Sequence, residues 1–145
     1  MSGSVRERTW SIAVPHDPGG ARTARRRLAS ELIDQVPAAL VADAVAVVGE
    51  LLGNAVRHAR PLPGGVIRLS WQVGGANGKA SAGSYVIVRV TDGGGAGAIP
   101  RPRAVGPDSI DGRGLAIVTA LATGWGVEPD GAGQCVWARV GASVA

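Results

Sequence analysis

A carboxylate, a carboxamide and an imidazole recur at four-residue intervals in Val48-Gly49-Glu50-Leu51-Leu52-Gly53-Asn54-Ala55-Val56-Arg57-His58-Ala59. At about 100° per residue in a helix, this spacing sets Glu50 beside Asn54, with Asp43 and Arg57 on the same face. Val41, Val45, Val48, Leu52, Ala55 and Ala59 fall on the opposite one. Such a face offers a proton acceptor and a neutral hydrogen-bonding group to whatever approaches it. Every amphipathic helix has a polar side, and most such sides meet only water. Gly49 and Gly53 weigh against that reading, since each costs about 0.8 to 1.0 kcal/mol relative to Ala inside a helix. A solvated face has no use for them, whereas a ligand or backbone that must come close does. His58, about 80° round the helix from Glu50, reads as a structural edge residue.

Two other stretches carry chemical potential. Val86, Val88, Val90 and Asp92 alternate along one side of an expected strand, which leaves a carboxylate at the end of an apolar row. Gly93, Gly95 and Ala98 then fit a dinucleotide fingerprint only superficially. The chain continues Ile99-Pro100-Arg101-Pro102, where the fingerprint needs a helix to start at once. In Asp111-Gly112-Arg113-Gly114-Leu115, two glycines and an arginine open an expected helix, whose free N–H groups would favour an anion.

The elements that must position these residues follow from pattern. Thr9 to Val14 reads as a strand. Asp17 and Pro18 supply an N-cap and a first-turn proline for a helix to about Gln35, with Ala21, Ala24, Leu28 and Leu32 as its buried stripe. The arginines between them are most simply a solvated face, with docking of an acidic partner as the sharper alternative. Pro37 opens a second helix that ends near Arg60-Pro61. Strands follow at Val66 to Val73 and Tyr85 to Thr91. The stretch from Gly93 to Arg113 reads as a long loop, and a short helix from Leu115 to Ala122 precedes strands at Trp125 to Glu128 and Gln134 to Val140. This order predicts an α+β fold, a two-layer α/β sandwich in which a mixed, mostly antiparallel sheet carries its helices on one face.

Composition narrows the classes. A chain of 145 residues suits a single domain spanning residues 1–145. Its apolar runs read as too short to cross a bilayer, and Met1 to Arg8 hold no signal-peptide core, so a cytoplasmic location and no membrane partner are expected. A lone Cys135, with only His16 and His58 as histidines, excludes disulfide and zinc frameworks. The net charge of +4 comes from 14 arginines and one lysine. Arg22, Arg25, Arg26 and Arg27 are the best nucleic-acid candidates, but Trp10, Trp71, Trp125 and Trp137 fall in strand-like segments and read as core rather than as a base-stacking platform.

Taken in order, ELLGNAVRHA, VTDGGG, a loose loop and GRGLAIV resemble the ATP-binding domain of the GHKL superfamily (gyrase, Hsp90, histidine kinases, MutL). The chain looks most like single-domain members related to bacterial anti-sigma-factor serine kinases of actinobacterial type. The resemblance implies the Bergerat ATP-binding fold, ATP and Mg2+ as cofactors, and an ATP lid at about 93–113. It implies that Asn54 binds the metal, that Glu50 is the catalytic base, and that Asp92 accepts the adenine amino group. Gly94 would let adenine approach the backbone, and Gly112, Arg113, Gly114 and Leu115 would contribute to phosphate binding. Ala96 replaces the last glycine of the usual DxGxG, and Gln134 and Cys135 stand where Lys and Thr are frequent, which bears on turnover more than on binding.

The resemblance implies an ATP-dependent protein serine/threonine kinase in transcription regulation. Its partner would be a sigma factor or a small anti-sigma-factor antagonist, with no direct contact to nucleic acid and with a homodimer left open. A nucleotide-sensing interaction module with little or no turnover is the alternative. A basic nucleic-acid-binding domain is the second alternative.

Overall fold

A computed structural model describes residues 8–75, 83–95 and 110–142, with side chains described at 9–75, 83–95 and 115–142. The elements run β1 (Arg8–Pro15), α1 (Pro18–Leu32), α2 (Ala38–His58), β2 (Val66–Gly74), β3 (Tyr85–Asp92), α3 (Ile110–Leu121), β4 (Gly124–Asp130) and β5 (Gly133–Gly141). The strands form one sheet in the order β1-β2-β3-β5-β4. All four pairings are antiparallel, so the sheet expected to be mostly antiparallel is so throughout its described strands.

Alternation along the strands sends one face to the core. Ile67, Leu69, Trp71 and Val73 of β2 are buried beside Val86, Val88 and Val90 of β3, and beside Val136, Ala138 and Val140 of β5. The opposite face carries Arg68, Ser70, Gln72, Arg89 and Arg139, none of them buried. The helices cover the apolar face. From α1 come Ala24, Leu28 and Leu32, from α2 Ala44, Val47, Val48 and Leu52, and from α3 Val118. Trp10 stacks on Trp71 with ring centroids 6.0 Å apart and planes at 14°. Trp71 is thus core as expected, while Trp10, Trp125 and Trp137 are half-buried.

Local signals explain the helix starts. Asp17 lies in an extended conformation and its Oδ1 accepts the Gly20 N–H at 2.7 Å, which caps α1. This helix ends at Leu32, three residues before the expected Gln35. Pro37 stands at the N-cap of α2 with no side-chain hydrogen bond, and Ala59 leaves the helix in an extended conformation just ahead of Arg60-Pro61. Arg57 and His58 in the last turn complement the helix dipole.

Two expectations are corrected here. Over its 21 residues α2 is apolar enough, at a mean hydropathy of 1.7, to match a membrane-crossing helix by length and composition. The expectation that no run reaches that length does not hold, although α2 packs Leu40, Ala44, Val47, Val48, Leu51, Leu52 and Ala55 inside the fold as a core helix does. The last helix starts at Ile110, five residues before the expected Leu115. Gly112, Arg113 and Gly114 therefore belong to its first turns rather than to a preceding loop.

Candidate functional site

The expected polar face of α2 is present, but it is not opposite the buried stripe. The buried set is centred near Leu51 and Ala55, about 60° round from the centre expected for Val41, Val45 and Val48. Val41 and Val45 are only half-buried. This rotation places Glu50 and Asn54 at the margin of the core, both half-buried, between packed side chains and solvent. A margin is where a bound molecule can have one side in contact with protein. Asn54 Oδ1 accepts a hydrogen bond from Arg57 Nη2 at 3.0 Å. His58 is exposed at the last position of the helix.

Asp92 closes the apolar row of β3 as expected and is only 2% exposed. Its Oδ1 accepts the Gly94 N–H at 2.7 Å. Burial pushes its carboxyl above the usual carboxylate range. The Gly94 hydrogen bond, the nearby His16 and a side-chain hydrogen bond with Gln134 pull it back in part. A buried carboxyl with few donors around it is matched to a ligand that brings an N–H of its own.

Backbone pairing ties this carboxylate to α2. The Gly93 N–H donates to the Arg60 carbonyl at 2.7 Å, the Arg60 N–H donates to the Gly94 carbonyl at 2.8 Å, and Ala59 bridges Gly95. The segment after β3 thus adds to the stretch that leaves α2, so Asp92 and Asn54 belong to one rigid unit. Glycine is required twice. A Cβ on Gly93 would lie 2.2 Å from the Pro61 carbonyl oxygen, and Gly94 has φ of +88°. The chain makes a tight approach of its own at Gly93, while the Cβ direction of Gly94, the position expected to admit adenine, meets nothing nearer than 3.5 Å.

His16 is the residue that spacing could not reveal. Its Nε2 donates to the Ala55 carbonyl at 2.8 Å, and its backbone N–H donates to the Gly65 carbonyl at 3.0 Å. It pins the β1–α1 corner to α2 across 39 residues of sequence and sets a partial positive field beside Asp92. Gln134 answers Asp92 from β5, with which Asp92 is in register.

On α3, Leu115 is 8% exposed and Val118 is fully buried, and the helix packs against α2. The expected lid, 93–113, is described only at 93–95 and in the backbone of 110–113; residues 96–109 lie outside the described residues. The first-turn N–H groups of α3, which include those of Gly112 and Arg113, have no partner within the helix. That of Gly114 falls four residues after the Ile110 carbonyl.

The comparisons agree with this architecture. The model of the family described as "Histidine kinase-like ATPase domain" matches residues 14–140, and the chain belongs to that family. It is therefore an ATP-binding domain of GHKL type. Among solved structures, the chain is similar to that titled "The crystal structure of the RsbU and RsbW domains of Rv1364c from Mycobacterium tuberculosis", with a TM-score of 0.62 and 20% identity. The match covers 92% of this chain and 32% of that one, and at this identity it establishes the shared fold. A search of curated proteins returned no match.

The residues present fit the nucleotide and metal that the family implies. Among the described residues no group of three or more His, Cys, Asp or Glu could hold a metal alone. Magnesium bound through one or two protein oxygens and substrate phosphates needs no such cluster, and Asn54 offers an oxygen. Asp92 offers a buried acceptor suited to an exocyclic amine.

Proposed function

We propose that the chain binds ATP with Mg2+ against α2, the end of β3 and the start of α3, and acts as an anti-sigma-factor-type serine/threonine kinase on a small antagonist protein. The single observation that carries this reading is the backbone union of Asp92-Gly93-Gly94 with Ala59-Arg60, which holds the Asp92 carboxyl in fixed relation to Glu50 and Asn54. Magnesium-bound ATP supplies the phosphoryl group and the charge compensation for its transfer. Asp92 accepts the adenine amino group, with Gly94 leaving room for the ring beside the backbone. Asn54 would hold the metal through Oδ1, the atom that Arg57 now occupies. Glu50 takes the proton from the hydroxyl of the incoming protein substrate. The free amides at Gly112 and Arg113 face the phosphates, and Gly114 and Leu115 carry that turn into the core.

Radiolabel from γ-labelled ATP, transferred to a candidate antagonist and lost in Glu50→Ala with nucleotide affinity retained, is the result expected. Calorimetric titration with Mg-ATP tests the binding step. Asn54→Ala and Asp92→Ala each weaken it, and absence of heat with the parent protein would sink the whole reading.

A second reading, a nucleotide-sensing module with little turnover, is favoured by one observation. Gln134 stands where relatives often carry Lys, and its side chain is engaged with Asp92. Tight binding without label transfer to any antagonist would select it.

A further inference from the structure

Arg22 and Arg25 of α1 and Arg57 of α2 converge on a groove of about 350 Å³ between the two helices, floored by Leu52 and by the glycines Gly49 and Gly53. All three arginines are exposed. The ion pair that α1 does form is elsewhere, Arg27 with Glu31 at 3.3 Å, and none of the three pairs with a carboxylate among the described residues. The two glycines make the depression. A Cβ on Gly49 would lie 3.4 Å from Arg25 Nη1, and one on Gly53 would lie 3.0 Å from Arg57 Nη1. At Gly53 the helix thus gives up propensity so that the Arg57 guanidinium can lie down on it, whereas at Gly49 a methyl would make only an ordinary contact.

We propose that this groove is a docking site for an acidic segment of a protein partner, and that Arg57 couples its occupancy to the nucleotide site. Charge complementarity selects the occupant. Three like charges with no ion-pair partner among the described residues repel one another, and guanidinium forks bind carboxylates in bidentate fashion. The floor is apolar at Leu52 and Val56, and the walls are two helices, which suits side chains of a peptide. A nucleic-acid backbone is better served by a broad basic face with aromatic rings, and no aromatic residue lines the groove.

The coupling half rests on the nucleotide reading proposed above. The guanidinium that lines the groove also donates to Asn54 Oδ1 at 3.0 Å. While it does so, its charge opposes a cation at that oxygen. A carboxylate in the groove draws Arg57 away from Asn54 and frees the amide oxygen. Acidic-segment binding and Mg-ATP binding then strengthen one another equally in both directions, as linkage requires.

The test uses a fluorescent glutamate- and leucine-rich peptide as probe, a single-stranded oligonucleotide of equal charge as comparator, and physiological salt. Arg22→Gln/Arg25→Gln is expected to weaken peptide binding about tenfold or more while leaving Mg-ATP affinity at the parent value. Saturating peptide is expected to tighten Mg-ATP about fivefold in the parent, the low end of allosteric coupling, and to have no effect in Arg57→Gln. Peptide binding indifferent to the double substitution overturns the groove, as does tighter binding of the oligonucleotide through the same arginines. Peptide binding without any change in Mg-ATP affinity overturns the coupling. Failure of the parent to bind Mg-ATP removes the nucleotide reading and the coupling together, and the peptide arm still decides the groove.

Discussion

Gly93→Ala tests whether the site is held by backbone pairing rather than by side chains. The added methyl would sit 2.2 Å from the Pro61 carbonyl oxygen and 3.0 Å from that of Arg60, and both are backbone atoms that cannot rotate aside. The segment after β3 must lift off the exit of α2. That breaks the Gly93 to Arg60 hydrogen bond at 2.7 Å and the Arg60 to Gly94 bond at 2.8 Å. At about 0.5 to 1.5 kcal/mol each, the two bonds put the loss at roughly 1 to 3 kcal/mol. For a domain of this size that lowers Tm by roughly 4 to 12 °C. The larger effect falls on binding. Asp92 no longer keeps its position relative to Asn54, and losing one hydrogen bond to a charged group weakens Mg-ATP roughly tenfold or more. Urea unfolding followed by tryptophan fluorescence reads the first quantity, and calorimetry reads the second. For stability alone, Gly94→Ala is the comparison: without nucleotide it meets only the strain of φ +88°, about 1 to 2 kcal/mol, with no atom closer than 3.5 Å to displace. A Gly93→Ala protein within about 0.5 kcal/mol of the parent, with unchanged nucleotide affinity, would refute the union of these two segments.

Gly49→Ala has the opposite sign. Its methyl meets only the mobile end of Arg25 at 3.4 Å, so the helix gains about 0.8 to 1.0 kcal/mol, seen as a higher urea midpoint at constant m-value. Asp92→Asn tests the burial of that carboxyl. With its pKa raised in the folded state, the folded protein holds the proton to higher pH than the unfolded chain does. Its contribution to stability is therefore fullest below the usual 3.8 and falls as pH rises through the raised value. The asparagine variant keeps an acceptor for the Gly94 N–H, so its Tm exceeds that of the parent at neutral pH by a margin that shrinks toward pH 4 and below. A margin independent of pH counts against the argument. Trp71→Phe removes a buried indole N–H that has no hydrogen-bond partner. Its unfolding free energy falls by about 1 kcal/mol or less, against about 3 to 5 for truncation to alanine.

What was legible in the sequence is what adjacent residues decide among themselves. Asp17 and Pro18 mark the start of α1, alternation marks β2 and β3, and the pause at Arg60-Pro61 ends α2, because capping, pleating and proline geometry act within a few residues. The placement of Asp92 at the end of an apolar row is of the same kind. The buried stripe of α2 was misjudged by about 60°, since apolar residues occupy so much of its circumference that periodicity alone does not choose among them. Packing against α1 and α3 chooses. Likewise the contact of His16 with the Ala55 carbonyl and the pairing of Arg60 with Gly94 join segments with no common local signal. The early start of α3 was hidden by Gly112 and Gly114, which read as a turn when only propensity is weighed.

The circumference of α2 carries both the displaced buried stripe and the candidate site. One arc, from Leu40 through Leu51 to Leu52, is sealed in the core. A second, from Val56 through Gly49 and Gly53 to Arg57, faces the groove against α1. Glu50 and Asn54 occupy the narrow strip between Arg57 and the core. A strip bounded by packed side chains on one flank fixes the orientation of its residues, and one bounded by a mobile guanidinium on the other leaves them open to control. Substitution in the sealed arc must therefore disturb groove and nucleotide together, because both ride on the same rigid body. Substitution on the α1 rim disturbs the groove alone. Arg57, whose guanidinium is shared by the two arcs, is the position at which they can be uncoupled without unfolding either.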